Sequence, residues 1–77
     1  MTVMTRFRLR LNEYEVRPVP GGIELYRIGS LGYPLKLAVV TGCESSSPEW
    51  TWTPGNRAAM PEEPGDVLAA ALAAIKE

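Results

Sequence analysis

The chain has 77 residues and a formal net charge of −1, and 45% of its residues are hydrophobic and 22% charged. These are the values of an ordinary globular protein of one domain, so we do not expect the whole chain to be disordered. It has no histidine and a single cysteine, Cys43. An internal disulfide is therefore excluded and too few ligands remain for a zinc site, so we predict no metal and no cofactor.

The charges are unevenly distributed along the chain. Residues 1–36 contain six basic and three acidic residues, whereas residues 37–77 contain two basic and six acidic residues. The two halves can therefore attract each other within one molecule or between molecules. A small domain without cross-links also often depends on a second subunit. We expect a protein partner or a homo-oligomer, whereas a dedicated binder of duplex DNA would be basic overall.

The first element is predicted from residues 6–11, in which charged and apolar side chains alternate strictly. Successive side chains of an extended strand point to opposite faces, whereas a helix would scatter them around its axis. The apolar residues, of which Leu11 is the last, then face the core. Arg6, Arg8 and Arg10 share the opposite face. An apolar core cannot accept three charges, so this face must meet water, acidic side chains or an acidic partner.

The remaining strands are separated by turn residues. The apolar phase changes near residues 12–13, which predicts either a β-bulge within one long strand or a short turn between two. Residues 18–22 suit a type II turn, and the prolines before and after the last strand favour an edge position for it. The predicted strands cover residues 5–17, 22–29, 34–41 and 49–53, and residues 1–4 are predicted to be flexible.

A helix is predicted over residues 65–76. Apolar residues recur at i, i+4 and i+7 from Leu68 and form one stripe. Alanines, among them Ala69 and Ala73, lie where a solvated helix would carry Lys and Glu. They either reflect the high helix propensity of alanine or mark a face that packs on a partner. The element order predicts one α+β domain, a four-stranded antiparallel β-meander with one C-terminal α-helix packed on one face.

Catalytic chemistry has little support in the sequence. Without histidine, the commonest general acid or base and the usual activator of Ser or Cys nucleophiles are absent. No neighbouring cation would lower the pKa of the Cys43 thiol. Glu13 and Glu15 share a strand face, and Glu62 and Glu63 are adjacent. Such carboxylates more often solvate a surface or pair with arginines on a neighbouring strand. We predict that the chain is not an enzyme.

Two features favour binding. Trp50 and Trp52 lie on the same side of the last predicted strand, where they either form a stacking platform for bases or sugars or fill the core of a small domain. The arginine face either follows a phosphate backbone or pairs with acidic residues. The acidic candidates are Glu24 and Glu49 of the same sheet, or residues of another chain.

These features predict a small non-enzymatic protein-interaction module that self-associates or docks on a larger protein, with nucleic-acid binding as the alternative. The predicted binding residues are Arg6, Arg8, Arg10, Trp50, Trp52, Ala69 and Ala73. No signal peptide or membrane-spanning stretch is visible, so we expect a cytoplasmic protein without a membrane partner. A composition rich in Arg, Ala, Pro and Gly and poor in lysine suggests a high-GC genome, and very short chains of this kind are common in bacteriophages. A phage structural accessory protein or a host-factor binder is the expected class.

Overall fold

The computed structural model describes residues 4–43 and 45–76, so the predicted flexibility of residues 1–3 lies outside the described residues. The strands are β1 (Thr5–Leu9), β2 (Asn12–Val19), β3 (Gly22–Ile28), β4 (Pro34–Thr41) and β5 (Glu49–Trp52). A 3-10 helix (Arg57–Ala59) and a C-terminal helix α1 (Pro64–Ile75) follow. The strands lie in the order β1-β2-β3-β4-β5, and each neighbouring pair is antiparallel. The predicted α+β class is confirmed, but the predicted number of strands is wrong because the sheet has five.

The fifth strand arises because a turn divides the segment predicted as one strand over residues 5–17. Leu9 pairs with Asn12, and the two residues between them form a tight turn. Arg10 adopts φ 57° at the first position of this turn, a conformation that non-glycine residues rarely take. A short turn is therefore present and the β-bulge interpretation is wrong, although the turn lies at residues 10–11 and the prediction placed it near residues 12–13.

The same turn changes the predicted faces of the first strand. Leu11 was expected to face the core, but it lies in the turn and is 96% exposed. Arg10 lies beyond the end of β1, so the strand itself carries only Arg6 and Arg8 of the predicted arginine row. The prediction overextended the strand because the alternation of charged and apolar residues continues through the turn.

The connection between β2 and β3 depends on two glycines. Gly21 adopts φ 82°, a left-handed conformation that glycine takes at little cost and that the predicted type II turn requires. Gly22 pairs with Thr41, and a Cβ atom at position 22 would lie 2.0 Å from the carbonyl oxygen of Val40. Strands β3 and β4 can approach each other this closely because residue 22 has no side chain.

Helix α1 covers one face of the sheet near β1 and β2. Pro64 occupies the first turn of the helix, where its missing N–H is not needed, and Val67, Leu68 and Ala71 are buried. Helix α1 is not long and apolar enough to cross a membrane, and neither is any other helix of the described residues. The buried hydrophobic core consists of Tyr14, Val16, Ile23, Leu25, Leu37, Ala38, Val40, Met60, Val67, Leu68 and Ala71.

The opposite face of the sheet carries the alternate side chains of the strands, and we call it the open face. Cross-strand pairing places Arg6, Glu15, Tyr26 and Lys36 in one row across four strands. The open face therefore combines basic, acidic and aromatic side chains. Its residues include Arg6, Arg8, Glu13, Glu15, Arg17, Glu24, Tyr26, Lys36, Val39, Thr41, Glu49 and Thr51.

Candidate functional site

Glu15 lies on the open face and is covered by two arginines. Its side chain is only 1% exposed. Arg6 Nε lies 3.2 Å from Glu15 Oε1, and Arg17 Nε lies 2.6 Å from Glu15 Oε2. The hydrogen bond to Glu15 raises the pKa of Arg17. Two charge-assisted hydrogen bonds thus replace water around a carboxylate that would otherwise be costly to bury.

Tyr26 and Glu24 continue these contacts across the open face. The Arg17 guanidinium lies 4.2 Å from the centroid of the Tyr26 ring, and the Tyr26 hydroxyl donates a hydrogen bond of 3.1 Å to Glu24. Lys36 Nζ lies 3.4 Å from a carboxylate oxygen of Glu24. Burial, followed by the hydrogen bond to Glu24, raises the pKa of Tyr26. The open face is therefore a network of alternating charges and is not uniformly basic.

The three predicted arginines have different surroundings. Arg6 takes part in the buried carboxylate contact, although its own side chain is 48% exposed. Arg8 is exposed and lies opposite Glu13 on the neighbouring strand. Arg10 Nη1 lies 3.9 Å from Asp66 Oδ2, and both side chains are more than half exposed. This last ion pair contributes little to stability because water screens it.

The acidic partners of the β1 arginines differ from those expected. Glu24 and Glu49 lie on β3 and β5, and in the described part of the chain neither forms an ion pair with Arg6 or Arg8. Glu15 on the adjacent strand pairs with Arg6 instead. Because β1 is an edge strand, both arginines stand at the border of the open face. An additional strand beside β1 would meet their side chains first.

Trp50 and Trp52 stack on each other on β5, with ring centroids 4.9 Å apart and an interplanar angle of 16°. Both side chains are half-buried and pack against the core. The guanidinium of Arg57 lies 5.0 Å from the centroid of the Trp52 ring. The two indoles therefore contact each other, the core and a cation. This leaves less ring surface for stacking bases than a pair of separated, exposed rings would offer.

The structure does not bring the predicted binding residues together in one site. Two of the arginines lie on β1 at one edge of the sheet, and the tryptophans lie on β5 at the other edge, with three strands between them. Ala69 and Ala73 are exposed on α1. The predicted residues thus belong to three separate surfaces.

A buried polar network joins the sheet to the segment that precedes α1. Glu62 is buried and accepts hydrogen bonds from the Tyr14 hydroxyl and from Asn12 Nδ2, the latter at 2.9 and 3.0 Å from the two carboxylate oxygens. Arg27 donates to Asn12 Oδ1 at 3.0 Å and to the Ala59 carbonyl oxygen at 2.7 Å. Within residues 4–43 and 45–76, no buried side-chain polar atom lacks a hydrogen-bond partner. The network therefore holds this segment against the sheet and leaves no described buried polar side-chain atom without a hydrogen bond.

The surroundings of Tyr14 predict that the fold loses stability at alkaline pH. Burial, followed by the hydrogen bond to Glu62, raises the pKa of Tyr14 above its ordinary value of 10.0. A group whose pKa is raised by folding stabilises the fold fully below its unfolded pKa, and this stabilisation is lost as the pH rises through the folded pKa. We expect the free energy of unfolding in urea to fall more steeply above about pH 10 in the parent chain than in Tyr14→Phe. Equal slopes would contradict this assignment.

Four exposed apolar residues that the sequence analysis did not single out lie at one end of the sheet. In a meander the β1–β2 and β3–β4 connections emerge at the same end. Leu11, Leu31, Tyr33 and Leu35 lie in or next to these connections and are 96%, 84%, 74% and 44% exposed. We call these four residues the apolar end. The available signal was a connection over residues 29–34 that contains Leu and Tyr where polar residues are usual.

A cleft of about 360 Å³ lies at the other end of the sheet, beside α1. Its described lining consists of glycines together with Ile23, Cys43, Leu72 and Ile75. Cys43 Sγ lies 3.6 Å from the Val40 carbonyl oxygen. In the described part of the chain, no three potential metal ligands form a group.

The chain was compared with protein-family models, with curated proteins and with solved structures, and none of them matched.

Proposed function

We propose that this chain is a small non-enzymatic protein-interaction module that docks through the apolar end. The observation that supports this proposal is the exposure of Leu11, Leu31, Tyr33 and Leu35 at one end of the sheet. A chain of this size has few large apolar side chains. Four of them are exposed to water and therefore do not contribute to the stability of the core. Burying an exposed leucine side chain contributes about 1.5–3 kcal/mol. Clustered exposed apolar residues commonly mark protein-binding surfaces.

The contacts of the charged and aromatic residues favour a protein partner over nucleic acid. Arg6 and Arg17 are already engaged by Glu15, and the open face carries as many acidic as basic side chains. The negative charges would repel a phosphate backbone. Trp52 contacts Trp50 and Arg57 instead of standing free to stack on bases. Docking on a protein requires neither a basic surface nor free indoles.

The partner is either a second copy of the chain or a larger protein. The composition that suggested a bacteriophage origin makes a phage structural component or a host factor the first class of larger protein to examine. Gel filtration with light scattering over a range of concentrations separates the two cases, because only self-association produces a dimer or larger species of the purified chain.

Photo-crosslinking tests whether the apolar end is the docking surface. We expect p-benzoylphenylalanine at position 31 to form a discrete adduct, either with a second copy in the purified chain or with one protein in a lysate of the source organism. The same group in place of Lys76, which is exposed and directly follows α1, should form none. A strictly monomeric chain that forms no discrete adduct through position 31 or position 33 would refute the proposal.

Substitution of Leu11 and Leu31 tests how much the apolar end contributes to binding of the partner. In a chain with the crosslinker at position 33, replacing both Leu11 and Leu31 by serine should lower the adduct yield at limiting concentration at least tenfold, because two buried leucine contacts are lost. The thermal midpoint should stay nearly constant, since both side chains are exposed and surface substitutions usually change stability by less than about 0.5 kcal/mol. An unchanged adduct yield would contradict the role of these leucines.

A further inference from the structure

We infer that the free edge of β1 binds an extended acidic segment of a partner protein as a sixth strand of the sheet. The inference rests on the proposed function as a protein-binding chain and adds a second surface, distinct from the apolar end. It also names the chemistry of the bound segment, which alternates acidic and apolar residues. Addition of a strand to an exposed sheet edge is a recurrent mode of peptide recognition.

The backbone of β1 offers the hydrogen bonds that such a strand needs. In an antiparallel pair, residues alternate between those bonded to the neighbouring strand and those whose N–H and C=O point away from it. The two-residue turn is closed by Leu9 and Asn12, which makes this a bonded pair. The alternation then leaves the N–H and C=O groups of Arg6 and Arg8 directed away from β2. In the strand order of the described residues, no strand lies on that side of β1.

The side chains of β1 determine what the added strand must contain. On the open face its side chains would lie about 5 Å from those of Arg6 and Arg8. Arg6 already pairs with Glu15, whereas Arg8 is exposed and forms no ion pair in the described part of the chain, so Arg8 supplies most of the attraction for an acidic group. On the opposite face they would lie beside Phe7 and Leu9, which are half-buried against the core. A segment with acidic residues at alternate positions and apolar residues between them satisfies both faces.

The same charges act against pairing of β1 with β1 of a second copy. An antiparallel pair of two β1 strands with a common open face would place arginines beside arginines, and like charges across strands are destabilising. Strand β5 carries Glu49 on the open face but has only four residues. It is also bracketed by Pro48 and Pro54, and proline cannot donate to a ladder. A separate acidic segment therefore fits this edge better than another copy of the chain.

Titration with synthetic peptides tests the inference. The probe is an acetylated and amidated octapeptide of alternating Glu and Val, added to the ¹⁵N-labelled full-length chain and followed by NMR. We expect shifts concentrated in β1, slower hydrogen exchange of the Arg6 and Arg8 amides, and binding that weakens with added salt. A peptide with four Glu followed by four Val, and a peptide with Lys in place of Glu, should bind at least tenfold more weakly.

Variants at position 8 separate the contribution of the arginine charge to peptide binding from the contribution of the backbone hydrogen bonds. Arg8→Gln should weaken binding of the alternating peptide about two- to fivefold, the size of one cross-strand ion pair. Arg8→Pro should abolish binding, because it removes an outward N–H that pairing with β2 does not use. Lys76→Gln removes a charge elsewhere and should leave the affinity unchanged. If Arg8→Pro does not fold, alternating peptides N-methylated on every second amide test the same hydrogen bonds on the parent chain.

Three results would overturn the inference. The first is no shift in β1 with the peptide at millimolar concentration. The second is that the alternating and the block-order peptide bind equally well and the Arg6 and Arg8 amides are not protected from hydrogen exchange. That result would show that the peptide is held by charge attraction alone and does not form a strand. The third is protection of these amides that depends on protein concentration in the absence of peptide, which would identify a second copy as the occupant. If the peptide fails while position 31 still forms its adduct, the edge inference is wrong and the proposed function stands.

Discussion

Glu62→Ala is expected to lower the free energy of unfolding by about 2–4 kcal/mol, although Glu62 lies outside every helix and strand. The substitution removes the acceptor of the Tyr14 hydroxyl and of the Asn12 amide. A buried donor without an acceptor costs about 1–3 kcal/mol. The substitution also removes one of the contacts that hold the segment before α1 against the sheet, while Arg27 still donates to the Ala59 carbonyl oxygen. Urea unfolding followed by tryptophan fluorescence measures the effect.

Glu63→Ala is the matched control. Glu63 is the next residue and an identical carboxylate, but it is exposed and makes no side-chain capping hydrogen bond to α1. Its remaining contribution is attraction to the positive end of the helix, which is about 0.3–1 kcal/mol. Comparable destabilisation by the two substitutions would show that the buried network does not stabilise the fold beyond a surface charge. Glu62→Gln should fall between them, because the amide keeps one acceptor oxygen.

Leu25→Ala should strongly destabilise the fold. Leu25 is completely buried at the centre of β3, where it pairs with Val16 on one side and Ala38 on the other. Truncating a buried leucine costs about 2–5 kcal/mol, because burial is lost and a cavity remains. A chain of this length has a total stability of roughly 4–12 kcal/mol. We therefore expect thermal unfolding at a much lower temperature, and part of the population unfolded at 25 °C.

Leu31→Ala provides the comparison for Leu25→Ala. It deletes the same atoms from a side chain that is 84% exposed. The free energy of unfolding should change by less than about 0.5 kcal/mol. Circular dichroism melts of the two variants, measured together, check the expected ranking. A loss of similar size at both positions would mean that Leu31 is buried in solution, and the proposed apolar end would lose its basis.

The antiparallel sheet and the C-terminal helix could be predicted because both patterns are local. The side-chain period of two marks strands, and the i, i+4, i+7 stripe from Leu68 marks a helix whatever the rest of the chain does. The division between β1 and β2 could not be predicted with the same certainty. Arg10 and Leu11 continue the alternation, and neither residue is a usual turn former. The turn is imposed by the pairing of β1 with β2.

The candidate surfaces were predictable to different degrees. Exposure of Arg6 and Arg8 followed from the cost of burying charge, which is a property of the residue type. The sequence could not show that Glu15 would be almost fully buried between Arg6 and Arg17, because that contact depends on the register of two strand pairs. Glu62 and Glu63 looked alike in sequence, yet one is buried and the other exposed.

Local side-chain order thus established an antiparallel sheet followed by one C-terminal helix and the exposure of charge on β1, but it gave four strands where the sheet has five. Tertiary structure alone decided that Leu11 and Leu31 face water while Glu62 is buried. The physical reason is that burial at these positions depends on where hairpins turn and on which segment crosses the end of the sheet. Both are outcomes of the summed contacts of the whole fold, and in a fold of marginal net stability no single residue determines them.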